Sequence, residues 1–151
     1  MVSTLLTVML SLAAGVLPAG NAPSPQVVFV CEHGAAKSLI ATAYFNKLAA
    51  ERGLAARATF RGVDPQDALS VRAVAGLKAD GFDIPAERPT AIAAADVGAA
   101  THIFAIGCVL PAGAAQSGKA SSWNDVPDDQ GYGPMRDAIV RHVRALVDSL
   151  Q

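Results

Sequence analysis

Only two cysteines, Cys31 and Cys108, occur among the 151 residues. They are too few for a disulfide scaffold or a four-cysteine zinc site, and they lack the close C-x-x-C spacing of redox pairs. An excess of charge of one sign is also missing: 12 Lys plus Arg stand against 13 Asp plus Glu, a formal net charge of −1. There is no Lys/Arg block. A general nucleic-acid binder needs a basic footprint to release counterions, so that class is excluded and no nucleic-acid partner is expected. The apolar run LLTVMLSLAAGVL, Leu5 to Leu17, falls short of the ~20 residues that cross a bilayer as a helix. What is present is 52% apolar residues, in a chain long enough to bury roughly two-thirds of its unfolded surface as one domain.

The Leu5–Leu17 run suits the h-region of an export signal, with Gly20 and Ala22 as small residues near a cleavage point. Residues 1–25 are therefore expected to be a leader and residues 26–151 a folded domain. The protein would be exported or periplasmic once the leader is cleaved, and cytoplasmic otherwise. No stable membrane span is expected in what remains.

Beyond the leader, Gln26 to Val30 (QVVFV) is a continuous β-branched run, as in a strand buried on both faces of a parallel sheet. Ser38 to Arg52 carries Leu39, Ala43 and Leu48 at helical spacing, and Gly53 supplies the left-handed stop. Ala58 to Arg61 reads as a second strand. Asp64-Pro65 then predicts the start of a helix running through Leu69, Val71, Val74 and Leu77 to a stop at Gly81. His102 to Ile106 is a third strand and Ala120 to Trp123 a fourth, after a loop from Pro111 to Lys119. Pro134 opens the last helix. There Met135, Ile139, Val143, Leu146 and Leu150 form one stripe, while Arg136, Asp137, Arg141, Arg144 and Asp148 face away. Alternating strands and helices with short connections predict an α/β fold, a parallel sheet covered on both faces. In such folds ligands sit at the carboxyl ends of strands.

That rule directs attention to Cys31-Glu32-His33-Gly34-Ala35-Ala36-Lys37-Ser38, between the first strand and the first helix. A loop of mostly small residues lets successive backbone N–H groups turn inward as a nest, and the helix start adds about half a positive charge. Such a pocket suits an oxyanion. A thiol beside those amides and Lys37 favours its thiolate form, which makes Cys31 a candidate nucleophile. Ser38 is placed to donate a hydrogen bond to that sulfur and to stabilise it as a leaving group. The competing reading is Cys31 as a small buried hydrophobe. His33 reads as a loop-shaping residue, because no second ligand stands at a zinc-like spacing.

The segment FVCEHGAAKS resembles the signature of the low-molecular-weight protein tyrosine phosphatases and of the arsenate reductases built on the same fold, a strand followed by C-x5-R-S. Cys31 and Ser38 match it, and Lys37 stands where the family has arginine. Farther on, GVDPQDALSVRAVAGLKADGFDIPAERPTAI looks like the family's second βα unit. Trp123 to Asp129 is similar to the W-x-x-P-D-P loop of the reductase branch, in which an aspartate before proline is the general acid. The resemblance implies a four-stranded parallel sheet in order 2-1-3-4 and in-line attack by Cys31 on a tetrahedral oxyanion. It also implies anion binding by the loop from Glu32 through Lys37, and proton donation by Asp128. Asp129, where the family has proline, is the alternative acid, and Asp125 is expected to be solvent-exposed. No metal or organic cofactor is implied.

Two departures matter. Arginine donates bidentately whereas lysine is a point charge, so losing one charge-assisted hydrogen bond costs roughly 1.5 to 3 kcal/mol, about 10- to 150-fold in rate. Arg61, at the end of the second strand, is a candidate to supply the missing guanidinium; the alternative is that it faces solvent or pairs with an acid such as Asp64. The second departure is that no aromatic clamp follows Asp128 directly. Tyr44 and Trp123 are candidates for the pocket mouth, with core packing the alternative for Trp123. Cys108 stands near where the reductase branch has its resolving cysteine, but no third cysteine follows, so a complete internal thiol relay is ruled out. The expected activity is phosphomonoester hydrolysis on a small phosphate-like substrate. The alternatives are arsenate reduction with an external thiol reductant and a non-catalytic oxyanion-binding module.

Overall fold

The computed structural model describes residues 23–151; most of the expected leader, residues 1–22, lies outside the described residues. The elements in chain order are β1 (Gln26–Cys31), α1 (Lys37–Glu51), β2 (Arg57–Gly62), α2 (Val71–Ala79), α3 (Ala94–Ala99), β3 (His102–Ile106), α4 (Ala112–Ala115), β4 (Ala120–Trp123) and α5 (Tyr132–Ser149). The four strands form one sheet in the order β2-β1-β3-β4, and every pairing is parallel. This is the sheet order that the resemblance implies. Among the described residues no helix is long and apolar enough to cross a membrane.

Side-chain alternation along β1 divides the interior. Val27 and Phe29 point into the larger cluster with Ile40 and Phe45 of α1, Leu77 of α2, Trp123, and Ile139 and Val143 of α5. Val28 and Val30 point the other way, packing with Ile103, Ala100 and Ala114 on the side of α3 and α4. A strand that must be apolar on both faces reads as an unbroken hydrophobic run, and QVVFVC does. Phe29 sits at the centre, its ring 5.4 Å from Trp123 and 5.9 Å edge-on to Phe45.

Two expected boundaries are corrected. The second helix begins at Val71, not at Asp64-Pro65, because Ser70 is its N-cap and accepts from the Ala73 amide at 3.3 Å. Residues 63 to 70 are instead bound to the loop after β1. The last helix begins at Tyr132, two residues before Pro134, which its first turn tolerates because the amide proline lacks would have no intrahelical partner there. The predicted loop from Pro111 to Lys119 contains the short α4.

Candidate active site

Cys31 closes β1, Gly107 follows β3, and Asp128 lies in the segment after β4. All three border one cavity of about 420 Å3 with Glu32, His33, Ala35, Ala36, Lys37, Gln66, Ser70 and Met135. The site therefore occupies the carboxyl ends of the strands, where a parallel sheet leaves its connecting loops.

The loop from Glu32 to Ala36 is shaped by its carbonyls. Val63 donates to Cys31 and Glu32, Asp64 to Glu32, Gln66 to His33 and Ser70 to Ala35, at 2.8 to 3.3 Å. His33 Nδ1 adds a contact of 3.1 Å to the Asp64 carbonyl. With the carbonyls bound on that side, none of the backbone amides of His33 through Ser38 donates to a protein acceptor among the described residues. Ala36, the N-cap of α1, offers no side-chain acceptor either. The loop lies close enough to β2 that glycine is required on both sides. A Cβ on Gly34 would sit 2.8 Å from the Gly62 nitrogen, a Cβ on Gly62 2.8 Å from the Gly34 nitrogen, and Gly34 has φ +60°.

Cys31 is 3% exposed, and its Sγ lies 3.1 Å from Ser38 Oγ in the first turn of α1. Lys37 is also largely buried, and its Nζ is 2.7 Å from Asp128 Oδ1. The amine lies over Gly107, where a Cβ would stand 2.7 Å from Nζ. Asp128, not Asp129, borders the cavity. Gly107 was not singled out from the sequence; its signal was a glycine at the carboxyl end of a predicted strand.

Side-chain placement decides between the alternatives for Arg61 and Trp123 and corrects the expectation for Tyr44. Arg61 does not approach Cys31. The register pairs it with Val30, so its side chain leaves the opposite face of the sheet from the Cys31 sulfur. There its guanidinium binds Asp96 at 3.0 and 3.1 Å and the Phe60 carbonyl at 2.8 Å. Burial opposes ionisation of Asp96, but Arg61 and the Ala93 amide outweigh it and hold the carboxyl below its ordinary range. Tyr44 is drawn away from the mouth by a 2.7 Å hydrogen bond to Asp80 and by edge contact with Phe82. Trp123 is a core residue, stacked on His142 at 4.6 Å.

Asp125 remains exposed and accepts from His142 at 2.6 Å, which lowers its carboxyl pKa and ties the segment carrying Asp128 to α5. Asp80, at the end of α2, receives Tyr44 of α1 and Tyr132 and Arg136 of α5, joining the three helices. Burial and these bonds to a carboxylate push the Tyr44 phenol up to about 12 and the Tyr132 phenol higher still, so both stay donors. Cys108 is half-buried, its Sγ 3.5 Å from the Val30 carbonyl. Burial, then the neighbouring Cys31 and Glu32, push its thiol up to about 11.

Residues 26–107 match the family model described as low molecular weight phosphotyrosine protein phosphatase. No curated protein matches the chain. Among solved structures it is similar to a thioredoxin-dependent arsenate reductase of Corynebacterium glutamicum, with TM-score 0.71, 23% identity and coverage of 87% of this chain and 64% of that one. It thus spans less than two thirds of that enzyme's length. It is also similar to a low molecular weight phosphotyrosine phosphatase of Vibrio cholerae O395, with TM-score 0.70, 17% identity and coverage of 83% and 96%. A third likeness is to an arginine phosphatase of Geobacillus stearothermophilus, with TM-score 0.66, 20% identity and coverage of 84% and 93%. At these identities the solved structures speak for the fold alone. The family model spans more than half of the chain, from the first strand to the end of the third, and by that match the protein belongs to the low molecular weight phosphotyrosine protein phosphatase family.

Proposed function

We propose that the chain is a phosphatase that hydrolyses small phosphomonoesters through a Cys31 thiolate. The observation that carries this reading is Cys31 Sγ at hydrogen-bond distance from Ser38, at the base of a loop whose amides from His33 to Ser38 donate to no protein acceptor among the described residues. Those amides form the oxyanion cradle, and Lys37 supplies a buried cation beside them.

The chemistry balances in two steps. The Cys31 sulfur attacks phosphorus in line and the bond to the leaving oxygen breaks, that oxygen taking the proton of Asp128. Water then attacks the phosphocysteine and gives its proton to the Asp128 carboxylate. The S–P bond breaks, with Ser38 donating to the departing thiolate. For Lys37 to bind a phosphoryl oxygen, its ammonium must exchange the Asp128 carboxylate for that oxygen. The same exchange releases the Asp128 carboxylate, which takes up a proton from solvent before it acts as the acid.

Stopped-flow mixing with p-nitrophenyl phosphate is the test. A burst of nitrophenol equal to the enzyme concentration, abolished in Cys31→Ser, supports the reading. Saturable phosphate binding without turnover supports the non-catalytic module instead. Arsenate reduction with an external thiol is the second reading, favoured by the position of Cys108 one strand from Cys31. Its raised thiol disfavours attack by Cys108 itself, so arsenate-dependent oxidation of added glutathione or thioredoxin would be required. Export, read from residues 1–25, belongs to the same proposal and is checked by N-terminal sequencing of the protein purified from its host.

A further inference from the structure

The cavity around Cys31 does not end at Asp128. Asp128, Ala36, Ser70 and Met135 also wall a second cavity of about 320 Å3, closed by Arg72, Ala73 and Tyr132. Displacement at phosphorus places the attacking sulfur and the leaving oxygen on opposite sides. The leaving oxygen takes its proton from Asp128, so it lies beside that carboxylate, and the remainder of the leaving group extends beyond it. The second cavity, which Asp128 also borders, offers space for it.

Its walls are selective. The Tyr132 ring is fixed by the 2.7 Å bond of its hydroxyl to Asp80, by Arg136 at 5.5 Å from its centroid, and by Gly76, where a Cβ would strike the ring at 2.5 Å. Once a phosphoryl group has taken Lys37, Asp128 is the protonated acid of the reading above and puts no charge on this wall. Arg72, the second residue of α2, is exposed, and no carboxylate of the described residues pairs with it. Among the described residues it is the one cation on the wall of this cavity. We propose that Arg72 is a specificity-determining residue that binds a second anion on the leaving group. The favoured substrates are then phosphomonoesters whose alcohol or phenol also carries a carboxylate. The inference rests on the reading of Cys31 and Asp128 given above, which sets the direction of the leaving group.

The test uses the full chain and two non-hydrolysable ligands that differ by one carboxylate, phenylphosphonate and 4-phosphonobenzoate, measured by isothermal titration. The carboxylate is expected to tighten binding about fivefold at low salt, the upper end for one exposed ion pair. That advantage should fade by about 0.5 M salt as the pair is screened. Arg72→Met should bring the ratio to about one, and Arg72→Lys should keep part of it. A ratio of one in the native protein, a ratio that survives Arg72→Met, or failure of both phosphonates to bind overturns the proposal. Turnover of phenyl phosphate and 4-carboxyphenyl phosphate is read separately. Turnover without the ratio removes the subsite and leaves the phosphatase reading, whereas the ratio without turnover removes the phosphatase reading and leaves the subsite.

Discussion

Lys37 Nζ and Asp128 Oδ1 lie 2.7 Å apart across the mouth of the Cys31 cavity, the lysine side chain 10% exposed and the aspartate 70%. The cation that would bind an incoming phosphate is thus held by the carboxylate that would protonate its leaving group. With the aspartate mostly in water, the pair is worth at most about 1 kcal/mol, weak enough for a phosphate dianion to displace it.

Removing the carboxylate separates its two roles. Asp128→Asn should lower kcat on an alkyl phosphate by about 10²- to 10⁴-fold, the usual range for general acid catalysis. Inorganic phosphate should inhibit up to about fivefold more tightly, because Lys37 loses its competitor. Asp129→Asn should stay within about twofold of the native protein in both assays. Steady-state kinetics with phosphate as inhibitor decide it, and equal losses in the two variants would mean that Asp128 is not the acid.

The lysine depends on a bare backbone opposite it. Lys37→Met should cost about 10- to 150-fold in kcat/KM, as expected for one lost charge-assisted hydrogen bond. Gly107→Ala should reproduce that loss, since its Cβ would stand 2.7 Å from Nζ and its φ is +61°. It should also lower stability by about 1 to 2 kcal/mol through backbone strain. Thermal denaturation beside kinetics distinguishes the two variants.

Ser38 acts on the second step. Ser38→Ala should leave the nitrophenol burst in place while slowing the steady state by about 10- to 100-fold, since it removes a hydrogen bond to the departing thiolate. Rapid acid quench should then trap more phosphocysteine than in the native protein. A smaller burst with an unchanged steady state would contradict this role.

Arg61 is a structural partner of Asp96. Arg61→Ala should leave phosphate affinity within about twofold and cost about 1 kcal/mol of stability at pH 7. Because the folded carboxyl of Asp96 is held below its unfolded value, the pair stabilises above pH ~4 and its contribution is lost as pH falls through the folded pKa. The stability gap between native and variant should therefore close on acidification. Urea titrations at neutral and acid pH measure that gap.

Cys108 should be slow to alkylate. With its thiol pushed up to about 11, its labelling by iodoacetamide in a Cys31→Ser background should rise about tenfold per pH unit between pH 8 and 10. Mass spectrometry of the labelled peptide follows the rate, and a plateau near neutral pH would show a thiolate.

Local pattern alone determined that this chain forms a parallel α/β sheet with its reactive loop after the first strand. An unbroken run such as QVVFVC must be buried on both faces, small residues must turn, and the stripe from Met135 to Leu146 must lie against the sheet. These are near-neighbour effects and can be read without knowing what the chain folds against. Tertiary structure decided the partners. Arg61 faces Asp96 because strand alternation and register place it opposite the Cys31 sulfur. Residues 63 to 70 leave the expected helix because their amides bind carbonyls from Cys31 to Ala35. Lys37 meets Asp128 because the ends of β1, β3 and β4 converge. Hydrogen bonds and ion pairs take whichever group the fold brings within about 3 Å, and sequence spacing does not measure that distance.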